Sequence, residues 1–275
     1  MWESGWVASN RSSLIEFGSV GAPPVSTIQS HWSYKVQVHV NSDACQSDVA
    51  TFRTTVLATD EASVEREWNH ELGSEWIGAS NALPSSDCDC YDLRKHPLLR
   101  REINIATELG IRSMEEVAFA SAYWVGLGYG RVWANGERAS DAELDPAWTT
   151  YANRTLYSVA DATPWLQSTG TDAPVISDSE SKGLRETLVI AVELGKGYFD
   201  PLPMRLFGKF DLRATLSTVG PPTLRLVLLV RLRNGQLRTV ATEAGSGKWT
   251  AGGGGLLRDN VYLGEIRDYR IDSSS

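Results

Sequence analysis

Alternation between apolar and polar residues is the dominant pattern along this chain. Residues His31–Val40 alternate Trp, Tyr and Val with polar side chains, and Val117–Val125 alternates in the same way. Leu188–Gly195 is a mostly apolar run that is closed by glycine. Because successive side chains of a strand point to opposite faces, a period of two residues predicts a half-buried strand, and a short apolar run predicts a buried one.

Two Asn-Gly pairs stand between strand-like flanks, at Asn135-Gly136 and at Asn234-Gly235. This dipeptide is the strongest short-range signal for a β-hairpin, because both residues tolerate the positive φ of a type I′ turn. We therefore expect a hairpin at each position.

Helical patterning is scarce. Residues 58–73 favour one helix, with Asp60 or Ser63 near its N-terminal cap, and Pro164 indicates a single helical turn in Asp161–Ser168. Many short strands with turn signals every eight to twelve residues predict an all-β protein made of β-sandwiches. The polar stretch around Ser168–Glu186 is expected to be an insertion in a loop.

Charge and composition narrow the classes of partner. The net charge of −8 and the scattered basic residues argue against binding to nucleic acid or to an anionic membrane. No apolar run is long enough to span a bilayer, and the first residues lack the pattern of a signal peptide, which favours the cytoplasm. Ten Trp and nine Tyr are many for 275 residues, and such rings form the core or the apolar platforms on which sugars stack.

Several motifs do not support the chemistry that they first suggest. Gly126–Gly130 lacks the third glycine and the following helix of a dinucleotide site, and Gly245–Trp249 lacks residues of a phosphate-binding loop, so both predict turns. Cys88-Asp89-Cys90 with His96 nearby is either half of a soft-metal site or an exposed polar loop. No Gly-x-Ser-x-Gly elbow and no helical His pair are present, and spacing alone selects no catalytic pair among the 34 acidic residues.

A series of motifs resembles the N-terminal β-sandwich region of bacterial-type α-L-rhamnosidases. Residues 135–163 resemble the family's succession of an Asn-Gly turn, a Leu-x-Pro-x-Trp-Thr-x-Tyr motif, an Arg, a Tyr and an Asp-Val-Thr, although Ala162 replaces the Val. Tyr198-Phe199 stands where the family has Trp-Tyr. The other segments that carry the resemblance are, in chain order, "EWIGA", "HPLLRREINI", "VIAVELGKGYF", "NGQLRTVATEAGSGKWTA" and "NVYLGEIRDYRID".

The resemblance extends upstream and suggests domain boundaries. Residues 1–57 resemble part of the fibronectin type III-like β-sandwich that precedes the family's N-terminal domain. Residues 58–109 are then a linker and lead-in segment with one helix, and residues 110–275 form a second, jelly-roll-like sandwich.

The segment Arg131–Thr163 allows two interpretations. In the first it is scaffolding: Pro146 ends a strand, Trp148 and Tyr151 fill the edge of the sandwich, and Arg154 pairs with Asp161 or Asp145. In the second, which the resemblance implies, Trp148 or Tyr151 offers an apolar face to a 6-deoxy sugar, while Asp145 and Asn153 hydrogen-bond the sugar hydroxyls. Some modules of this type bind rhamnose with calcium, for which the candidate ligands are Asp141, Glu143 and Asp145.

The resemblance also implies where catalysis takes place. In the family the acid and base lie in an (α/α)6 barrel downstream of the final Gly-Glu motif, so no catalytic residue is expected in this chain. Glu265 and Asp268 would lie at the interface with that barrel. The expected partners are rhamnose-containing glycosides and the downstream barrel.

Three hypotheses follow. The first is a non-catalytic N-terminal part of an α-L-rhamnosidase-like glycoside hydrolase, which supports the catalytic domain or recognises substrate. The second is a free-standing, lectin-like module that binds rhamnose. The third, a complete enzyme, requires catalytic residues that no motif identifies.

Overall fold

The computed structural model describes residues 31–34, 37–40, 43–46, 48–53, 68–69, 72–78, 84, 86–168, 183–206, 210–216 and 219–271. The chain divides into two compact units, Met1–Glu67 and Trp68–Ser275. Across the described ranges, no helix is both long enough and apolar enough to cross a membrane.

The first unit contains two antiparallel strand pairs. Strand β1 (His31–Tyr34) pairs with β4 (Ala50–Arg53), and β2 (Gln37–Val40) pairs with β3 (Asp43–Gln46). The strand expected over His31–Val40 is therefore two strands with different partners. The helix expected over residues 58–73 falls largely outside the described residues, as does most of the insertion expected around Ser168–Glu186.

Strands make up most of the regular secondary structure in the described part of the second unit. They are β5 (Ile77–Gly78), β6 (Pro97–Asn104), β7 (Val117–Leu127), β8 (Tyr129–Ala134), β9 (Glu137–Arg138), β10 (Ser158–Asp161), β11 (Thr187–Gly195), β12 (Arg205–Leu206), β13 (Phe210–Asp211), β14 (Thr223–Leu232), β15 (Leu237–Ala241), β16 (Thr250–Gly253), β17 (Leu256–Asn260) and β18 (Gly264–Arg267). Single helical turns occur at Asp89–Tyr91, Ile105–Leu109, Met114–Glu116, Pro164–Leu166 and Leu212–Thr215. The turn expected at Pro164 is thus confirmed.

Two antiparallel sheets face each other in this unit. The first has the order β10-β7-β14-β15, with β5 pairing to β14, and the second has the order β16-β6-β11-β8-β9. Smaller pairs are formed by β12 with β13 and by β17 with β18. The predicted all-β sandwich is confirmed, and the strands predicted at Val117–Val125 and Leu188–Gly195 lie in opposite sheets.

The core lies between the two sheets and takes every second residue of their central strands. From β11 it includes Leu188, Ile190, Val192 and Leu194, and from β14 it includes Leu224, Leu226, Leu228, Val230 and Leu232. Strand β14 is buried on its other face as well, since Val227 and Leu229 are fully shielded from solvent. That double burial explains why β14 reads as an apolar run instead of an alternating one.

Both predicted hairpins are present. Asn135 and Gly136 have φ of 52° and 85°, so β8 and β9 are joined by the expected turn with two positive φ values. Strands β14 and β15 are joined through Asn234-Gly235, where only Gly235 has positive φ, at 86°. The glycines at 126–130 form the link between β7 and β8, as expected, and a Cβ on Gly126 would lie 2.5 Å from the Gly130 nitrogen.

The second unit begins earlier than residue 110. Its compact part starts at Trp68, and β6, within the segment 58–109, is an internal strand of the second sheet that pairs with β11 and β16. Arg225 of β14 fixes the first residues of the unit: its guanidinium donates to Ser74 and lies 5.5 Å from the ring centroid of Trp68 and 5.7 Å from that of Trp76. The strand β6 of the lead-in segment is therefore part of the sandwich.

Candidate functional site

Three aromatic rings form a surface cluster at one end of the sandwich. The rings of Trp148 and Tyr198 are 4.7 Å apart with an angle of 34° between their planes, and those of Tyr198 and Tyr262 are 6.3 Å apart and nearly perpendicular. Trp148 is 48% exposed and Tyr262 is 49% exposed. We call Trp148, Tyr198 and Tyr262 the aromatic surface.

The three rings come from separate parts of the sequence. Trp148 lies in the loop between β9 and β10, Tyr198 in the turn after β11, and Tyr262 in the turn between β17 and β18. Strand β11 ends at Gly195, which pairs with Tyr129 at the start of β8. The Asp145 carbonyl, in the Trp148 loop, accepts from the Gly130 amide of β8, and the Asp259 carboxylate of β17 accepts from the Lys196 amide after β11, so the three loops meet at this end of the sandwich.

A second layer of aromatic residues lies below the exposed rings. The rings of Tyr151 and Phe199 pack edge to face at 5.5 Å, and the Tyr151 hydroxyl lies 3.5 Å from the Gly128 carbonyl oxygen. Burial raises the pKa of Tyr151 to about 12, so its hydroxyl is protonated at neutral pH. The Tyr129 ring occupies the space beside Gly197, where a Cβ would lie 2.7 Å from the ring. Tyr151 thus supports the surface, whereas Trp148 belongs to it.

The exposed hydroxyl groups of the aromatic surface are linked. The Tyr198 hydroxyl donates to the Tyr262 hydroxyl at 3.3 Å. This hydrogen bond, together with burial, raises the pKa of Tyr198 to about 12. The aromatic surface therefore presents ring faces to solvent together with a protonated Tyr198 hydroxyl at neutral pH.

The polar residues expected to accompany Trp148 lie in the same loop. Asp145 is half-buried, and its carbonyl oxygen accepts a hydrogen bond from the Gly130 amide at 2.8 Å. Asn153 is exposed in the turn that follows Trp148, and its backbone N–H donates to the Thr150 carbonyl at 2.8 Å. Arg154 is exposed, its backbone amide donates to the Thr150 carbonyl oxygen at 2.9 Å, and its pairing with Asp161 or Asp145 stays a prediction.

The candidate calcium ligands do not converge. Glu143 accepts hydrogen bonds from Arg131 and from Arg138, and these hold the pKa of its carboxyl below the usual range. The Glu143 carboxylate, a candidate calcium ligand, is therefore already paired with two guanidinium groups. Among the described residues, no group of three or more His, Cys, Asp or Glu side chains has the arrangement of a metal site.

Cys88, Cys90 and His96, the candidate soft-metal ligands, lie in different environments. Cys88 is exposed, whereas Cys90 is buried with its Sγ 3.5 Å from the Ser86 carbonyl oxygen. His96 is buried, and its Nδ1 lies 3.2 Å from the Leu194 carbonyl oxygen and 3.3 Å from a carboxylate oxygen of Asp259. The described part of the chain therefore does not form the soft-metal half-site.

Glu265 and Asp268 both have partners within the second unit. Glu265 lies 3.5 Å from Arg267, which also forms a two-pronged ion pair with Glu193 at 2.9 and 2.8 Å. Asp268 accepts hydrogen bonds from the side chain and backbone of Arg270, which lower its pKa to about 2. Large apolar side chains are exposed beside them, namely Leu263, Ile266 and Tyr269.

The pattern of the sequence identified only part of this site. The motif of its loop indicates Trp148, whereas Tyr198 stands out only as a departure from the family's Trp and nothing in the final motif sets Tyr262 apart. An aromatic residue within two positions of a glycine or asparagine in a turn between strands is the signal that marks both. No local pattern indicates that these turns meet.

Comparison with known proteins shows that the chain is similar to the N-terminal part of α-L-rhamnosidases. Residues 115–179 match the family described as the α-L-rhamnosidase N-terminal domain. The chain is 25% identical over 281 residues to an α-L-rhamnosidase of Formosa agariphila, with 99% of this chain and 26% of that protein covered. The chain therefore spans about a quarter of the length of the curated relative it matches.

Solved structures share the fold. The crystal structure of an α-L-rhamnosidase from Aspergillus terreus matches with a TM-score of 0.63 at 17% identity, covering 90% of this chain and 24% of that chain. The structure of an α-L-rhamnosidase from Dictyoglumus thermophilum matches with a TM-score of 0.55 at 20% identity, covering 83% of this chain and 21% of that chain.

Proposed function

We propose, from the match of this chain to the N-terminal part of an α-L-rhamnosidase, that its aromatic surface binds a terminal L-rhamnose of glycosides. The observation that carries the proposal is the exposure of Trp148 and Tyr262 on either side of Tyr198. Large aromatic rings are normally buried, so three that meet at the surface indicate a binding role.

The shape and polarity of the surface suit a 6-deoxy sugar. Rhamnose has a methyl group where most hexoses have a hydroxymethyl group, and its methyl and ring C–H groups can lie against apolar ring faces. The linked hydroxyls of Tyr198 and Tyr262 stand at the edge of the surface, where they can exchange hydrogen bonds with sugar hydroxyls. A few polar groups around an apolar floor fix the orientation of a ligand.

Asp145 and Asn153 complete the proposed site. Both belong to the loop that carries Trp148, and Asn153 is exposed in its turn. A carboxylate and an amide together supply the acceptors and donors that vicinal hydroxyl groups require. Tyr151 acts from below as a support, because its hydroxyl is turned towards the Gly128 carbonyl.

In the longer protein, this binding would serve hydrolysis of terminal α-L-rhamnose by a separate helical barrel. The barrel would supply the acid that protonates the leaving oxygen and the base that activates water. Rhamnose held by the sandwich would raise the local concentration of substrate around the barrel. The alternative is a free-standing, lectin-like module that binds rhamnose without any barrel.

Titration calorimetry tests the sugar site. We expect the chain to bind L-rhamnose and not D-glucose, and we expect Trp148→Ala to weaken binding by about tenfold, because one stacked ring contributes roughly 1–2 kcal/mol. The melting temperature of that variant should stay close to that of the wild type, since Trp148 is 48% exposed.

Trp76→Ala is the matched control, because Trp76 is 39% exposed and lies beside Arg225 instead of Tyr198.

Repeating the titration with added calcium and with a chelator shows whether a cation takes part. Absence of heat at millimolar rhamnose under both conditions would contradict the proposal and leave the sandwich as scaffolding.

A second role, docking to the barrel, is favoured by the exposed side chains around Glu265 and Asp268. Leu263 is 58% exposed and Tyr269 is 86% exposed, beside carboxylates whose partners lie in their own unit. The gene sequence beyond the codon for Ser275 discriminates between the hypotheses. An all-helical segment there supports docking, and a stop codon would favour the free-standing module.

A further inference from the structure

Two consecutive side chains at the end of β17 reach the two turns that carry the tyrosines of the aromatic surface. They belong to Asp259 and Asn260. Successive side chains of a strand point in opposite directions, so one strand end can contact structures on both of its sides. No motif of the sequence distinguishes this pair from the other polar residues near the C-terminus.

Asp259 holds the turn after β11. Its carboxylate accepts hydrogen bonds from the Lys196 amide at 3.0 and 3.1 Å and from the Gly197 amide at 3.2 Å. Tyr198 follows these two amides directly. Because a carboxylate that accepts backbone N–H groups forms strong hydrogen bonds, this contact fixes the position from which the Tyr198 ring leaves the backbone.

The Asp259 carboxylate is in turn contacted by the buried side chain of His96. His96 Nδ1 lies 3.3 Å from Asp259 Oδ1, and the His96 side chain is only 2% exposed. Burial lowers the pKa of His96, so at neutral pH the ring is uncharged and its Nδ1–H can donate to Asp259 and to the Leu194 carbonyl. The Tyr129 ring, which lies against Gly197, closes the other side of the turn.

Asn260 holds the turn between β17 and β18. Its Oδ1 accepts hydrogen bonds from the amides of Tyr262 at 2.9 Å and of Leu263 at 3.0 Å. Asn260 is buried, with only 7% of the residue exposed, whereas the turn that its side chain stabilises is exposed. A side-chain oxygen that accepts from amides two and three residues further on sets the course of such a turn.

We propose that Asp259 and Asn260 are positioning residues which set the spacing of Tyr198 relative to Trp148 and Tyr262, and so the affinity of the aromatic surface for L-rhamnose. The role in affinity rests on the proposed function, whereas the role in spacing does not. Neither side chain needs to touch the sugar, because each acts through a turn.

Variants of the two residues, compared by tyrosine and tryptophan NMR, test the spacing without any sugar. Signals of ring-labelled Tyr198, Tyr262 and Trp148 are assigned with Tyr198→Phe, Tyr262→Phe and Trp148→Phe. We expect Asp259→Ala to shift the Tyr198 and Trp148 signals and Asn260→Ala to shift the Tyr262 and Tyr198 signals, because neighbouring rings shield one another at the observed distances. Asn260→Asp, which keeps the accepting oxygen, should restore the wild-type signals.

Asn234→Ala is the matched control. Asn234 Oδ1 accepts a turn hydrogen bond from the Gln236 amide at 2.9 Å in the hairpin between β14 and β15. It removes a comparable contact from a turn that carries no ring of the aromatic surface, so its loss should leave the three signals unmoved. Asp259→Asn, which keeps one accepting oxygen, provides a second variant in case Asp259→Ala does not fold.

Calorimetry with L-rhamnose then tests the consequence. We expect Asp259→Ala and Asn260→Ala to weaken rhamnose binding by about fivefold or more, because displacing one ring should reduce the binding free energy about as much as losing one hydrogen bond. Asn260→Asp should bind about as tightly as the wild type. Ring signals that stay unmoved in both alanine variants would overturn the proposal. Shifted signals in a protein that binds no rhamnose would uphold the positioning role and refute the proposed function alone.

Discussion

At the scale of single residues, the function of a side chain here depends on which of two layers it occupies. Trp148 and Tyr151 are three residues apart in one motif, yet Trp148 is 48% exposed and Tyr151 is half-buried against Phe199. The motif predicted correctly that this loop is aromatic. It could not separate the exposed ring from the supporting one, because that depends on Phe199 and Tyr198 in another loop.

His96 gives a pH dependence to the stability of the fold. Burial lowers its pKa in the folded state, whereas in the unfolded chain it takes up a proton near its ordinary pKa of about 6.5. Below that pH the unfolded state binds more protons, so the free energy of unfolding should fall as the pH decreases through about 6.5. Above that pH this contribution is constant.

Thermal unfolding between about pH 5 and pH 7.5 measures the effect. His96→Asn keeps a donor and does not titrate, so its melting temperature should fall less on acidification than that of the wild type. The other three histidines are the same in both proteins. Parallel profiles for the two proteins would show that His96 does not carry the dependence.

At the scale of elements, the sequence predicts structure correctly where neighbouring residues determine it. It fails where pairing between distant strands determines it. The hairpins at Asn135-Gly136 and Asn234-Gly235 follow from the conformational preferences of two residues, and both are present. The strand expected over His31–Val40 was divided in two, and β6 belongs to the sandwich although it was placed in a lead-in segment. Pairing between distant strands decides such cases, and no local pattern records it.

The hairpin between β8 and β9 is fixed to its neighbours by one side chain. The Asn135 amide group donates to the Trp165 carbonyl at 3.0 Å and accepts from the Val189 amide at 3.0 Å. We expect Asn135→Ala to lower the free energy of unfolding by about 3 kcal/mol, from two lost hydrogen bonds and a residue less tolerant of positive φ.

Chemical denaturation measures this loss, with Asn234→Ala for comparison. Asn234 accepts one turn hydrogen bond and does not have positive φ, so its replacement should cost only about 1 kcal/mol. Equal losses for the two variants would mean that the bonds to Trp165 and Val189 add nothing to the turn itself.

At the scale of the whole molecule, the proposed binding role leads us to expect no hydrolysis by the described part of the chain. Three carboxylates in or near the strand ends and turns that carry the tyrosines are engaged: Asp259 accepts backbone amides, Asp200 pairs with Arg213 and Lys196, and Glu193 pairs with Arg267. Hydrolysis with inversion requires an acid and a base roughly 6.5–9.5 Å apart on opposite sides of a sugar.

We therefore expect no release of nitrophenol from an aryl α-L-rhamnoside by this chain alone, above the rate without protein. The assay is colorimetric, and an active α-L-rhamnosidase is the positive control. Turnover that is lost on mutation of Asp145 would contradict the expectation and identify a catalytic carboxylate within the sandwich.

The segment that forms the buried strand β14 is exposed to solvent before the chain folds. Thr223–Leu232 is ten residues long, buried on both faces in the native sheet, and apolar except for Thr223, Arg225 and Arg231. A nascent chain exposes this segment until β7 and β15 pair with it, and apolar segments of this kind are the ones that aggregate. Arg225 and Arg231 interrupt this apolar sequence, and we therefore expect them to limit aggregation of the newly made chain.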